Sequence, residues 1–99
     1  MIQIEQNTWY IQKELNSIAV ENIYKKFLTN NNLERPNPWT IDFNDCHNID
    51  SSGLSFIIEC IKICKLENRI LEIKSINNKA INLAKVYGVY EIINNYIKE

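Results

Sequence analysis

Polar and apolar positions alternate at the start of the chain. Ile2 and Ile4 point one way, Gln3 and Glu5 the other, which is the period of a strand. Gln6-Asn7 is a turn signal, and Thr8 to Gln12 is short, aromatic and β-branched, a second strand. Two strands so close predict a hairpin. The period then changes. Val20, Ile23, Tyr24, Phe27 and Leu28 recur at helical spacing within Ile18–Leu28, behind an N-cap signal at Asn16-Ser17. Asn30-Asn31-Asn32 ends that helix, because Asn tolerates the left-handed conformation. Leu33 to Pro38 reads as a loop, since Pro36 and Pro38 do not suit a central strand.

Trp39-Thr40-Ile41-Asp42-Phe43 is a strand with Trp39, Ile41 and Phe43 on one face, and Asn44 to Ile49 links it to the next element. That element is the organising feature of the chain. Asp50-Ser51-Ser52-Gly53 opens a stretch to Asn68 in which Leu54, Ile57, Ile58, Ile61 and Cys64 fall at helical spacing. Phe56, Cys60 and Ile63 widen the apolar stripe, which predicts a largely buried helix with one narrow polar face. Asp50 is a cap signal, and either Ser51 or Ser52 could turn its hydroxyl onto an orphan N–H of the first turn. Arg69 to Ile76 is a further strand, with Ile70, Leu71 and Ile73 apolar. Asn77-Asn78 caps a helix containing Ala80, Ile81, Leu83, Ala84, Val86 and Tyr87, with Gly88 at its C-terminal stop. Val89 to Ile97 reads as a last short helix.

The order β-β-α-β-α-β-α with helical crossovers predicts an α/β fold with a mixed four- to five-stranded sheet and about four helices. The strands after Pro38 and after Asn68 should run parallel, with the Asp50 helix between them. A chain of 99 residues is one domain, residues 1–99, able to bury roughly 60–70% of its unfolded surface.

Composition changes the functional picture mainly by exclusion. Eleven Lys and Arg against twelve Asp and Glu leave a net charge of -1, which gives no footprint for nucleic acid. No apolar run reaches the length of a membrane span. Met1 to Glu5 has neither the basic start nor the apolar stretch of a signal peptide, so the expected location is cytoplasmic. Cys46, Cys60 and Cys64 form no C-x-x-C, and Cys60 and Cys64, four apart on the buried helix, read as small reduced core residues.

Asp42, Asp45 and Asp50 could be imagined around Mg²⁺, but loop carboxylates are usually solvated or act as caps, so no metal is expected. Cys46-His47 is adjacent rather than convergent and reads as surface loop. With Gly53 and Gly88 the only glycines, there is no phosphate-cradling loop. No cofactor and no catalytic activity are therefore expected. Trp9, Trp39, Tyr87 and Tyr90 suit either core or interface.

A strand like Trp39–Phe43, a short loop, then Ile49-Asp50-Ser51-Ser52-Gly53-Leu54 opening an apolar helix resembles the STAS domain, the family of sulfate-transporter and anti-sigma-antagonist domains. The resemblance runs through nearly the whole chain and implies the STAS fold. Two branches differ in what they imply. In one, a minimal MlaB-like STAS protein is the cytoplasmic accessory subunit of an Mla-type phospholipid ABC transporter, where it binds the ATPase subunit and supports assembly and activity. The segment Asn78–Tyr87, with its L-A-K-x-Y ending, is similar to that branch. It implies a partner-binding set of Asp50, Ser51, Ser52, Gly53, Asn78, Lys79, Lys85 and Tyr87, held at the inner face of the inner membrane through the partner alone.

In the other branch, anti-sigma factor antagonists, the Ser51 position is phosphorylated by a partner serine kinase. The Ser51-Ser52 spelling resembles that branch. Such a phosphate would add roughly -1.5 to -2 charge at a helix N-terminus, close in sequence to Asp50, Asp45 and Asp42.

Overall fold

The computed structural model describes residues 2–28 and 37–98, apart from the side chains of Phe27 and Leu28. The expected helix stop at Asn30-Asn31-Asn32, and the loop as far as Pro36, lie outside the described residues. The alternating N-terminal segments form the expected hairpin. β1 (Ile2–Glu5) pairs antiparallel with β2 (Thr8–Ile11), from Ile2 opposite Ile11 to Glu5 opposite Thr8. Gln6 takes a positive φ of 53° in the two-residue turn. β2 then runs parallel to a later strand spanning Trp39–Asp42.

Two short strands escaped the pattern. β3 (Lys13–Leu15) follows β2 after one residue and leads into α1 (Ser17–Ile23). Lys13 has φ 68°, and the register shifts between Lys13 and Glu14. That irregularity turns β3 out of the first sheet. Asn16 caps α1 by accepting from the Ala19 N–H at 3.0 Å. The predicted helix to Leu28 is α-helical only to Ile23, and a π-helical turn completes it over Tyr24–Leu28.

β4 (Trp39–Asp42) is the centre of the main sheet, buried on both faces except at Asp42. Trp9 and Trp39 are both core, their rings meeting edge to face at 4.7 Å. The link from Asn44 to Ile49 contains β5 (Cys46–Ile49), which pairs parallel with β3. This corrects the reading of Cys46-His47 as surface loop. His47 is exposed, but Cys46 is only 4% exposed, held by the Lys13 N–H on Asp45 O at 2.8 Å and by a bond from Sγ to Asn48 O at 3.5 Å. Burial pushes its thiol above the usual cysteine range, against the opposing effect of its hydrogen bonds with the Asn48 and Leu15 backbone. Cys60 and Cys64 are buried in the core as expected. A thiol-directed colorimetric reagent at pH 8 should therefore label the native protein slowly at all three positions and rapidly once it is denatured. Fast labelling of one native thiol would show that β5 opens.

α2 (Ser51–Glu67) packs its broad apolar face on the sheet, with Leu54, Phe56, Ile57, Cys60, Ile61 and Cys64 buried. It stops at Asn68, whose φ of 53° and ψ of 43° are left-handed, and the Arg69 N–H reaches back to Cys64 O at 2.9 Å. β6 (Leu71–Lys74) runs parallel to β4 as predicted, though shorter than Arg69–Ile76, and Ile70 is left exposed. α3 (Asn78–Val86) is capped by Asn77, which accepts from the Ala80 N–H at 2.9 Å. α4 (Tyr90–Asn94) is shorter than the predicted last helix. Its continuation returns to the sheet, where Ile97 bridges to Ile73.

The main sheet thus has the order β1-β2-β4-β6, with β3-β5 as a separate two-stranded sheet. The mixed α/β architecture is as expected. The difference is that six strands divide between two sheets.

Candidate functional site

The N-terminus of α2 is set by one residue just before it and one in its first turn. Asp50 has the extended backbone of an N-cap, φ -98° and ψ -169°, and its carboxylate accepts from the Gly53 N–H at 3.1 Å. Ser51 and Ser52 already lie inside the helix. The cap therefore belongs to Asp50, which corrects the expectation that a serine hydroxyl closes the first turn. A capping side chain must start from the extended residue that precedes the helix.

Gly53 sets how closely α2 approaches the strands beneath it. A Cβ on Gly53 would lie 2.6 Å from Leu15 O and 2.6 Å from Ile49 Cγ2. The Asp50 N–H also points to Leu15 O, at 3.4 Å. The end of β3, the end of β5 and the first turn of α2 are thereby locked together. The result is a fixed platform for Ser51.

Ser51 is exposed, and its hydroxyl makes no hydrogen bond among the described residues; its carbonyl accepts from Ser55 Oγ at 3.1 Å. Ser52 is half-buried. Of the two hydroxyls, Ser51 is the accessible one. It opens onto a groove of 440 Å³ between α2 and the turn joining α3 to α4. The α2 wall is Ser51, Leu54, Ser55, Ile58, Glu59 and Lys62, and Tyr87 and Val89 close the other side. On the α1 side, Tyr24 hydrogen-bonds Glu59. Burial first, then the charge and the hydrogen bond of Glu59, raise the Tyr24 phenol above its ordinary range.

The structure divides the sequence-predicted set. Ser51 and Tyr87 share the groove, while Asp50 and Gly53 position the helix that forms its wall. Lys85 stands beside it, with Nζ 4.9 Å from the centre of the Tyr90 ring. Asn78 and Lys79 do not line the groove. They are exposed at the opposite end of α3, about 12 Å away along a helix rising 1.5 Å per residue. There Asn77 donates to His47 O at 3.3 Å.

Leu54, Ser55, Ile58, Glu59 and Lys62 were not singled out as site residues. Counting helical turns from Ser51 would have found them, because positions three or four, seven or eight, and eleven along return to the same side. The carboxylates Asp42 and Asp50 are engaged in local turns, Asp42 Oδ1 accepting from the Asn44 N–H at 2.8 Å. Among the described residues, no group of three His, Cys, Asp or Glu side chains is placed to hold a metal ion, and no helix is long and apolar enough to cross a membrane.

The fold and site together define a small α/β domain that exposes the N-terminus of its longest helix beside a groove. Residues 3–99 match the family model for the STAS domain, and the chain belongs to that family. Its members are generally non-catalytic binding modules. Among solved structures, the chain is similar to a sulfate transporter family protein from Wolinella succinogenes, with a TM-score of 0.73 and 13% identity over 92% of this chain and 74% of that one. At that identity the likeness is one of fold. No curated protein matches the sequence.

Proposed function

We propose that the chain is a non-enzymatic binding module, the accessory subunit of an ABC-type phospholipid transporter that docks on its ATPase subunit and supports assembly and activity. The observation that carries this reading is the position of Tyr87. The tyrosine that ends the L-A-K-x-Y segment is 58% exposed and lines one groove with Ser51. The Asp50–Gly53 motif that carries the family resemblance and the segment that resembles the transporter branch thus meet on one surface, though they are more than thirty positions apart in sequence. Val86, next to Tyr87 in sequence, is exposed as well. Large aromatic side chains at the edge of an apolar groove suit a docking surface.

Titration of the purified protein with the ATPase subunit of its own cell's Mla-type transporter tests this. Ser51→Glu should leave the fold intact, because an acidic residue in the first turn suits the helix dipole. It should weaken binding about tenfold, a difference of 1.4 kcal/mol. Unchanged affinity would sink the assignment of Ser51 to the contact.

A second reading is an anti-sigma factor antagonist switched by a serine kinase. The exposed hydroxyl of Ser51, which makes no hydrogen bond among the described residues, favours it. Capture of a small ATP-binding kinase, together with phosphate on Ser51 in protein isolated from cells, would replace the first reading with this one.

A further inference from the structure

The main sheet has two outer strands, and they are treated differently. The outer side of β6 is covered by the returning chain: the Ile73 N–H donates to Tyr96 O at 2.8 Å, and the Lys98 N–H donates to Ile73 O at 2.8 Å. The other outer strand is β1, which among the described residues pairs only with β2. Which of its backbone groups are free follows from the hydrogen bonding of β2. The Thr40 N–H donates to Asn7 O at 2.9 Å, so the odd positions of β2 face β4 and Thr8 and Tyr10 face β1. Their partners are Glu5 and Gln3. The N–H and C=O groups of Ile2 and Ile4 therefore point away from the sheet.

Edge strands are normally guarded by Lys, Pro, a bulge or short length. β1 contains neither Lys nor Pro, and its pairing with β2 is in continuous register. Its guards are short length and the single charge of Glu5 at its end. Its side chains are self-complementary. Ile2 and Ile4 stand opposite the core residues Ile11 and Trp9, on the apolar face, yet Ile4 is 39% exposed. On the other face, Gln12 Nε2 donates to Gln3 Oε1 at 3.2 Å, and Gln3 Nε2 donates to Glu5 Oε1 at 2.8 Å.

We infer that β1 pairs antiparallel with β1 of a second copy, centred on Gln3. Ile2 then exchanges backbone hydrogen bonds with Ile4 of the other copy, and Ile4 with its Ile2. The four isoleucines continue the apolar layer across the junction, and the exposed part of Ile4 is covered. Glu5, the single charge of the strand, lies outside the paired stretch. None of the groove residues lies on β1 or β2, so the pairing leaves the proposed ATPase-docking face open. So short a pairing buries far less than the roughly 1,200 Å² of a stable interface. The dimer is therefore weak, half-formed at about 1 mM.

Two experiments test this. In this register Gln3 meets Gln3 of the other copy as a non-hydrogen-bonded pair, with Cα atoms about 4.5 Å apart, within disulfide range. Under mild oxidation Gln3→Cys should give cross-linked dimer at least tenfold faster than Asn82→Cys, an exposed control on α3. Sedimentation equilibrium should show the unmodified protein dimerising at millimolar concentration, and Ile4→Lys, with an unchanged circular dichroism spectrum, remaining monomeric. Equal cross-linking rates, a monomer throughout, or a dimer that survives Ile4→Lys would each overturn the inference. An extended strand of another protein protecting the amides of Ile2 and Ile4, with no self-association, would do so too.

Discussion

Gly53→Ala is expected to lower stability by about 2 kcal/mol, against the usual preference of helices for alanine. In an exposed helix the change would stabilise by roughly 0.5–1 kcal/mol. Here the added methyl meets Leu15 O and Ile49 Cγ2 at 2.6 Å and Leu15 Cγ at 3.2 Å. A side chain could give way, but Leu15 O is backbone, and the Asp50 N–H points at it from the same turn of α2. Overpacking of this kind costs about 1–3 kcal/mol or more, so the clash outweighs the gain in propensity. Urea unfolding measures the difference, with Ser55→Ala as the exposed control, expected within about 0.5 kcal/mol of the parent. A Gly53→Ala protein as stable as the parent would mean that α2 is not locked to β3 and β5 at this point. In the folded fraction of the variant, α2 must lift from the strands, which moves Ser51 and the groove wall, so partner binding should fall with stability.

The elements that could be read in advance are those whose ends carry a local chemical device. Asp50 caps α2, Asn77 caps α3 and Asn16 caps α1, each with one side-chain oxygen on an N–H three residues on. Asn68 and Gly88 take positive φ where the helices stop, at 53° and 75°. These devices act within a few residues, so a linear pattern contains them. β3 and β5 were not legible for the opposite reason. Lys13-Glu14-Leu15 and Cys46-His47-Asn48-Ile49 lack β-branched alternation and are short. They become strands only by pairing with each other across more than thirty intervening residues. The position of Cys46 in the core follows from that pairing and from nothing in its neighbours.

The site divides along the same line. The motif Asp50–Gly53 was visible, while the reason for its glycine was not, because Leu15 lies far away in sequence. Asn78 and Lys79 were grouped with Tyr87 as one helical segment. In space they mark opposite ends of it, and only the Tyr87 end joins Ser51.

Tyr87→Ala is expected to weaken binding of the ATPase subunit at least about 30-fold, equivalent to the roughly 2 kcal/mol of an interface hot spot, with almost no change in folding stability. The separation of the two effects follows from how the residue is held. Its backbone ends α3: the Tyr87 N–H donates to Leu83 O at 3.0 Å, the Gly88 N–H to Lys85 O at 3.1 Å and the Val89 N–H to Ala84 O at 2.9 Å. This closure, with Gly88 at positive φ, fixes the backbone whatever side chain the position carries. The ring itself is more than half exposed, so its removal uncovers little core. Truncation at an exposed position should stay within about 0.5 kcal/mol in urea unfolding. Tyr87→Phe separates the ring from its hydroxyl, and retained affinity would assign the contact to apolar burial in the partner. Ile18→Ser removes an equally exposed apolar side chain that lines a different depression, beside Lys13 and His47, and should bind as the parent does. Full affinity in Tyr87→Ala, or an equal loss in Ile18→Ser, would move the docking face away from the α2 groove.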